Sequence, residues 1–493
     1  MLKWYTIHKN NTGFYPVISD RSKVNLKMNH SIRHIITTAL ILLFVMISFG
    51  ICTAAEKVYV LTAPYPTVTD SITVRRISRF WRGVPYGLPF RELLMTPETL
   101  DDLIRIWGNP SGKAELKIIR PEKMLQTAWE GDGTWAVIPF EELDPRWKVI
   151  AVNGSSPFLT GFDPADYALS VPLPEGEPSN YDPEKLTTLT LTGTTAMSRY
   201  LAYHIETDGL LVPVENIAET LAASDITHIS NEASFTPDCP PGDPLRREAR
   251  FCSDPSYFAL LEAVGADVVE LTGNHNLDWG YEPFLYSLDL YEQAGMKVYG
   301  GGRTQKEAQE PLLLEHHGNK IALFGCNAIG PDGIWATDEN PGAALCDLPK
   351  MEEQIRELKA DGWLPVVTFQ HLEYTWYDVP PLQSHDFLEI AREAGPAVIS
   401  GSQAHIPQGM TFVGDTFIHY GLGNLLFDQM SDVERTSFFD RHYFYDGRYL
   451  GNHLETIILE NYSQPRFLDP EEREAFLNLI FGTCSWQETF AEN

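Results

Sequence analysis

Asn274, His275 and Asp278 stand together in the run Glu270-Leu-Thr-Gly-Asn-His-Asn-Leu-Asp-Trp-Gly280, directly after the β-branched pair Val268-Val269. An amide oxygen, an imidazole and a carboxylate this close together are groups that bind a divalent cation or move a proton. The preceding apolar run reads as a buried strand, so Gly273, Asn274 and His275 fall on the loop that leaves it. In open α/β sheets the loops at the carboxyl ends of strands are where sites are built. The same residues also make ordinary polar turns, because Asn, His and Asp cap helices and accept unusual backbone angles.

The elements that would position these residues recur along the chain. From Leu186 to about Asp428, apolar strand patterns alternate with helical ones such as Tyr257 to Val264 and Phe387 to Ala394. Each strand pattern runs into polar or glycine-rich residues. Thr187–Thr192 leads to Gly193-Thr194, and Asp225–Ser230 to Asn231-Glu232. Pro365–Phe369 leads to Gln370-His371, Ala397–Ser400 to Gly401-Ser-Gln-Ala-His405, and Thr416–Tyr420 to Gly421-Leu-Gly-Asn424. Strands alternating with helices imply a sheet carrying helices on its faces. Packing alone does not require polar residues at every strand exit, so the recurrence favours a site. His228 and His419 lie inside strand patterns and read as structural. His316-His317, just before Gly318-Asn319, reads as an exposed hairpin.

The chain has 493 residues, too many for one ordinary core, and two or three domains are expected. Hydrophobic residues at 43% and aromatics at 12% indicate packed domains. A formal charge of -30 excludes nucleic acid as a natural partner and disfavours docking on anionic membranes. Ile35 to Ile51 is apolar, follows Lys23, Lys27 and Arg33, and precedes Thr53-Ala54-Ala55. That pattern reads as an export signal, with an uncleaved anchor as the alternative. Met28 opens a segment of normal signal-peptide length, and the bulky Ile51 before Cys52 argues against lipidation. The protein is therefore expected to be exported and extracytoplasmic, either secreted or anchored. In an oxidising compartment the loop-bracketing pairs Cys239–Cys252 and Cys326–Cys346 are expected as disulfides, with Cys484 left over and buried.

The expected domains are residues 1–55 as signal peptide or anchor, 56–180 as a smaller α/β domain, 186–430 as the main domain and 431–493 as a C-terminal extension. In the first domain a strand (Val58 to Pro66) precedes a helix from Ser71 to Trp81 and another over Pro97–Trp107 capped by Thr96. Strands follow at Trp135–Phe140 and Trp147–Val152. This part resembles half of a periplasmic solute-binding protein around Trp135-Ala-Val-Ile-Pro-Phe-Glu-Glu-Leu. The stretch Val171 to Lys185 is rich in proline and polar residues and reads as a linker. After Asp428, a polar and aromatic segment leads to a strand at Leu454–Leu459 and a closing helix after Asp469.

Taken in order, Asn231-Glu232, Asn274-His275-Asn-Leu-Asp278-Trp-Gly280, Tyr299-Gly-Gly-Gly302, Gly401-Ser-Gln-Ala-His405 and Tyr420-Gly-Leu-Gly-Asn-Leu-Leu-Phe-Asp428 resemble capsule-synthesis proteins of the CapA (poly-γ-glutamate biosynthesis) type. Those proteins are related to calcineurin-like metallophosphoesterases. The resemblance implies an α/β fold with a metallophosphoesterase-like β-sandwich flanked by helices and a divalent metal (Mn, Zn or Fe) at the strand ends. Carried over by motif, Glu232, Asn274, His371 and His405 would be metal ligands, with His275 and Asp278 catalytic. Asn231, Thr194, Gln403 and Asn424 would face substrate.

The departures point to a weakened metal site that holds a single ion or none. Gly193-Thr194 stands where the family has Gly-Asp, and Gln403 stands where a first histidine belongs. In Gln370-His371-Leu-Glu373, either His371 is a displaced ligand or Gln370 has replaced it. The expected role is in making or processing an extracellular polymer such as poly-γ-glutamate, as a metal-dependent hydrolase with several usual ligands replaced. Expected partners are that polymer or a small substrate, and capsule-synthesis membrane proteins. A metal-dependent phosphoesterase or amide hydrolase on a small exported molecule, and a non-catalytic ligand-binding protein, remain the alternatives.

Overall fold

A computed structural model describes residues 55–490 apart from Arg247 and Met430. The expected leader at Ile35–Ile51, the start at Met28 and Cys52 lie outside the described residues. Among those residues no helix is long and apolar enough to cross a membrane.

Two sheets face each other in the main part of the chain. The first runs in the order Lys297–Tyr299, Val268–Glu270, Ile226–Asn231, Leu186–Thr192, Thr436–Tyr445, Arg448–Glu460, Gln464–Phe467. Short strands Thr194–Thr195 and Asn424–Leu426 extend it at one end. The second has Asn319–Asn327, Leu364–Gln370, Val398–Ser400 and Thr416–His419 in parallel, flanked by Leu312–His316 and Met410–Val413. Their inner faces share one core, to which Leu189, Leu191, Phe438 and Phe444 come from the first sheet and Leu323, Val366, Val398 and Phe417 from the second. Helices Phe258–Ala263 and Tyr281–Ala294 cover the outer face of the first sheet, and Leu348–Ala360 and Pro381–Glu393 that of the second. The result is a mixed α/β sandwich with helices on both sides, the layering that amphipathic helices on apolar sheets produce.

Local rules account for most boundaries. Helix Pro97–Trp107 begins where Thr96 accepts from the Thr99 amide and Pro97 occupies the first turn. The last helix, Pro470–Thr483, starts in a capping box built by Asp469 and Glu472, and its Phe476, Leu477 and Ile480 close the sandwich core. The helix expected from Ser71 begins instead at Val74, because Ser71 and Ile72 pair in parallel with Ala151 and Val152. Val171, expected in a linker, belongs to a strand that pairs with Lys57.

Residues 56–172 form a seven-stranded sheet centred on Glu56–Pro64, with its own core. That core also takes in Tyr443 and Leu450 from the first sheet of the sandwich. In the other direction, Tyr65 enters the sandwich core. Its ring lies 5.1 Å from Phe412 and 5.4 Å from Phe417, and its hydroxyl donates to Asn452 Oδ1 at 2.7 Å. The polar and aromatic segment Thr436 to Leu450, expected to lead into a strand at Leu454–Leu459, is itself mostly strand. It forms most of a long hairpin whose first strand lies between Leu186–Thr192 and Arg448–Glu460.

Candidate functional site

The parallel strands of the two sheets release their chains at the same end. From the first sheet come Gly193-Thr194, Glu232 and the Thr272–Asp278 loop; from the second come His371 and the Gly401–His405 loop. The backbone there is crowded. A Cβ on Gly273 would stand 2.7 Å from Glu232 Cα, and one on Gly401 would overlap the Tyr420 carbonyl oxygen. Glycine is needed at both places for close approach rather than for backbone angle.

Glu232 is fully buried, and neither carboxylate oxygen finds a hydrogen-bond partner among the described residues. Two imidazoles flank it: His275 Nε2 lies 3.9 Å and His405 Nε2 3.7 Å from Oε1. Each ring is fixed through its other nitrogen. His275 Nδ1 meets Asp278 Oδ2 at 2.7 Å, and His405 Nδ1 meets Asn424 Oδ1 at 2.9 Å. Because both partners are acceptors, each Nδ1 carries the proton, and each Nε2 turns a lone pair toward Glu232 when the ring is neutral. Asn274 Oδ1 and both amide atoms of the fully buried Gln403 are likewise without partners among the described residues. Lone pairs converging on a buried carboxylate call for a cation, either a proton or a metal ion. His405 answers in part. Burial opposes its charged form, yet the carboxylates of Glu232 and Glu373 outweigh burial and raise its pKa above the ordinary value.

The remaining expected residues have other duties. Asn424 spends its oxygen on His405 and its amide on Gln429 and the Glu434 carbonyl, so it orients His405 and keeps no donor for a substrate. Asp278 holds His275 and the Phe251 amide, and so acts through His275. Asn231 donates to the Ala233 carbonyl and to Tyr291 Oη, leaving only Oδ1 unpaired. Thr194 Oγ1 lies 3.5 Å from the carbonyls of Ser402 and Ala404. His371 keeps neither ring nitrogen for a metal: Nδ1 accepts from the Leu372 amide and Nε2 meets Asp386 at 3.0 Å. From the same stretch Glu373 reaches the site instead, accepting from the His405 and Ile406 amides, with burial raising its pKa.

Several participants carry no clear sequence signal. Arg199 follows the Gly193-Thr194 turn with φ of 48°, a strained angle for a non-glycine residue. Asp428 holds it there through Nη2 at 2.6 Å and through the Tyr200 amide. Its guanidinium lies 4.5 Å from the Phe251 ring and 5.4 Å from Phe427. Phe251 in turn lies 4.3 Å from His275, and Phe427 stacks 4.9 Å from His405. An aromatic pair thus separates a cation from the two imidazoles. Beneath the site, Glu270 accepts from Thr272 and Ser402 and pairs with His228 at 3.2 Å. Burial works against its charge, but His228 and the two hydroxyls outweigh it and hold its pKa below the usual value. This carboxylate ties the loop bearing Asn274 to the loop bearing Gln403.

Both expected disulfides are formed, Cys239–Cys252 and Cys326–Cys346. Cys484 remains a thiol, half-buried, its pKa pushed up to about 12 by burial. Among the described residues, the group of three ligand-bearing side chains whose ligand atoms lie within 4.8 Å of one another is His385, Asp386 and Glu389, on the surface of helix Pro381–Glu393. Glu232, His275 and His405 are more widely spread.

Residues 188–429 match the family described as bacterial capsule synthesis protein PGA_cap. The PGA biosynthesis protein CapA of Bacillus subtilis (strain 168) is 22% identical over 240 residues, which is 48% of this chain and 62% of that protein. The capsule biosynthesis protein CapA of Bacillus anthracis is 28% identical over 176 residues, 35% of this chain and 42% of that one. The chain thus spans about half the length of these relatives. Among solved structures, a 5'-nucleotidase precursor from Thermus thermophilus aligns with 60% of this chain and 58% of its own, at 15% identity and a TM-score of 0.35.

Proposed function

Through residues 188–429 the chain belongs to the bacterial capsule synthesis protein family, and on that basis we propose that it makes or processes an extracellular polymer of the poly-γ-glutamate type as a hydrolase using one divalent cation. The observation that carries this reading is the buried Glu232 carboxylate, unpaired between two imidazole lone pairs. The donor set fits a metal: carboxylate, amide oxygen and imidazole suit Mn, Zn or Fe. Glu232, Asn274 and His405 would hold the ion, which when bound supplies Lewis acidity at the scissile group. Thr194 and Gln403 are neutral, which favours one ion over two.

His275 gives or takes a proton at Nε2, with Asp278 fixing its ring and tautomer. The buried Gln403 amide and Asn231 Oδ1 lack partners among the described residues; Gln403 would donate to a substrate carbonyl or carboxylate, while Asn231 Oδ1 would accept from a substrate N–H. Arg199, held by Asp428 over Phe251 and Phe427, puts positive charge beside the site in a protein of net charge -30. The two disulfides support an exported, extracytoplasmic protein. The natural partners would be the polymer and capsule-synthesis membrane proteins.

Elemental analysis of the purified protein tests the reading. Near-stoichiometric Mn, Zn or Fe in the wild type, lost in Glu232→Gln and His405→Ala, is the expected result. Metal-free protein that takes up none of these ions on titration would overturn it.

A further inference from the structure

Between Ser71 and Arg91 the chain carries five arginines and no acidic residue, in a molecule of net charge -30. The helix Val74–Trp81 sorts them by face. It buries Ile77, Phe80 and Trp81 in the core of the N-terminal sheet and turns Arg75 and Arg79 to solvent, with the exposed Arg82 one position beyond its end. Residues four and three apart lie on one side of a helix, so the three guanidinium groups form a row. Its surroundings do not offset it. The loops that touch the helix, through Asn153 at its start and Ser111 at its end, have no acid from Asn153 to Phe162 or from Ile106 to Ala114. The second loop adds Lys113, packed beside Gly83. Other cations of this domain are paired: Arg91 with Asp132, Arg105 with Asp102, Lys117 with Glu92 and Arg120 with Glu122. Arg75, Arg79, Arg82 and Lys113 have no such carboxylate among the described residues.

An apolar tip stands next to the row. Val84, Pro85 and Tyr86 follow the helix end into solvent, and Tyr86 is 85% exposed. Hydrogen bonds fix this turn on the helix. The Val84 amide donates to the Arg79 carbonyl at 2.9 Å, and Arg76 donates to the Gly87 carbonyl, just past Tyr86. The fold thus holds an aromatic ring out in water beside unpaired arginines.

We propose that this face docks on an anionic lipid surface, with Arg75, Arg79, Arg82 and Lys113 against headgroup phosphates and Tyr86 at headgroup level. An acidic soluble partner would satisfy the cations and leave the tip without a role. A bilayer interface uses both, since amphipathic rings settle there and each nearby cation adds attraction. The net charge of the chain disfavours such a surface in general, and this face is the exception. Charges more than about 8 Å apart are largely screened at physiological salt, so on contact the row acts and the distant acids do not.

Residues Ala55–Asn493 form a compact unit of their own, so the test can leave out the apolar run Ile35–Ile51. Co-sedimentation of that unit with phosphatidylcholine vesicles, with and without phosphatidylglycerol, is the measurement. Binding only where phosphatidylglycerol is present, and release by added salt, are expected. Arg79→Gln together with Arg82→Gln should weaken binding about 30-fold, each charge being worth a factor of about 5 near an anionic bilayer. Tyr86→Ser should weaken it as well but leave its dependence on salt unchanged. All three side chains are exposed, so both variants should melt as the wild type does. The proposal falls if the two kinds of vesicle bind alike, or if the arginine variant binds as the wild type does. It falls too if neither vesicle binds; soluble polyglutamate held by the same arginines would then name a dissolved polyanion as the occupant.

Discussion

Glu232 has both oxygens unpaired among the described residues, and an unneutralised carboxylate in that setting destabilises the fold around it. Glu232→Gln keeps the shape and removes the charge, so the metal-free protein should hold or gain up to about 2 kcal/mol of stability. The same variant should lose the rise in melting temperature that Mn, Zn or Fe gives the wild type. Scanning calorimetry with and without metal shows both effects, and a metal-free variant much weaker than wild type would refute the account. His371→Ala should retain the wild type's metal content, because both His371 ring nitrogens are already engaged elsewhere. Glu270→Gln is the informative contrast. Glu270 is not expected to touch the ion, yet it binds Thr272 and Ser402, the anchors of the Asn274 and Gln403 loops. Metal affinity measured by chelator competition should drop about 10-fold or more in that variant, as outer-shell losses do.

The strand exits that build the site were legible because each apolar run ends abruptly in Asn, Gly, Gln or His. Residues 268–275 show this plainly: Val268 to Glu270 is fully buried, and the polar turn follows within a few positions. The hairpin strand Thr436–Tyr445 was not legible. Both its faces are covered, one by the sandwich core and the other by the helix-side core at Phe439 and the seven-stranded sheet at Tyr443, so its residues show no period of two. Phe251, Phe427 and Arg199 were missed for a different reason, since their meeting depends on three separate turns converging. Those turns tolerate little change. Gly401→Ala would drive a methyl group into the Tyr420 carbonyl, and we expect a loss of about 3 kcal/mol or insoluble protein, read by urea denaturation. Removing the Cys239–Cys252 bridge as a Ser pair should cost about 3 kcal/mol in the same assay. It should also lower activity through His275, because Phe251 is the neighbour of Cys252 and packs on that ring.

Across the sandwich and the seven-stranded sheet, hydrophobic cores are shared rather than adjoining. Tyr443 and Leu450 belong to the core of the N-terminal sheet, and Tyr65 belongs to that of the sandwich. One calorimetric unfolding transition is therefore expected for residues 55–490, and two resolved peaks would contradict it. The polar seam between the parts gives a pH signature. Lys148 titrates near 8 when folded against an ordinary 10.5, so the folded chain binds fewer protons across that interval. Its contribution to stability therefore grows as pH rises from 8 toward 10.5. The difference in unfolding free energy between wild type and Lys148→Met should climb over that window and level off beyond it. Tyr65 makes the same point for any attempt to take the two parts apart. A family segment cut free at Leu186 would begin life with a tyrosine-sized hollow among Phe412, Phe417 and Trp486 and an orphaned Asn452. Separating the two halves is therefore costly, and swapping one for a foreign counterpart demands that the newcomer bring its own plug.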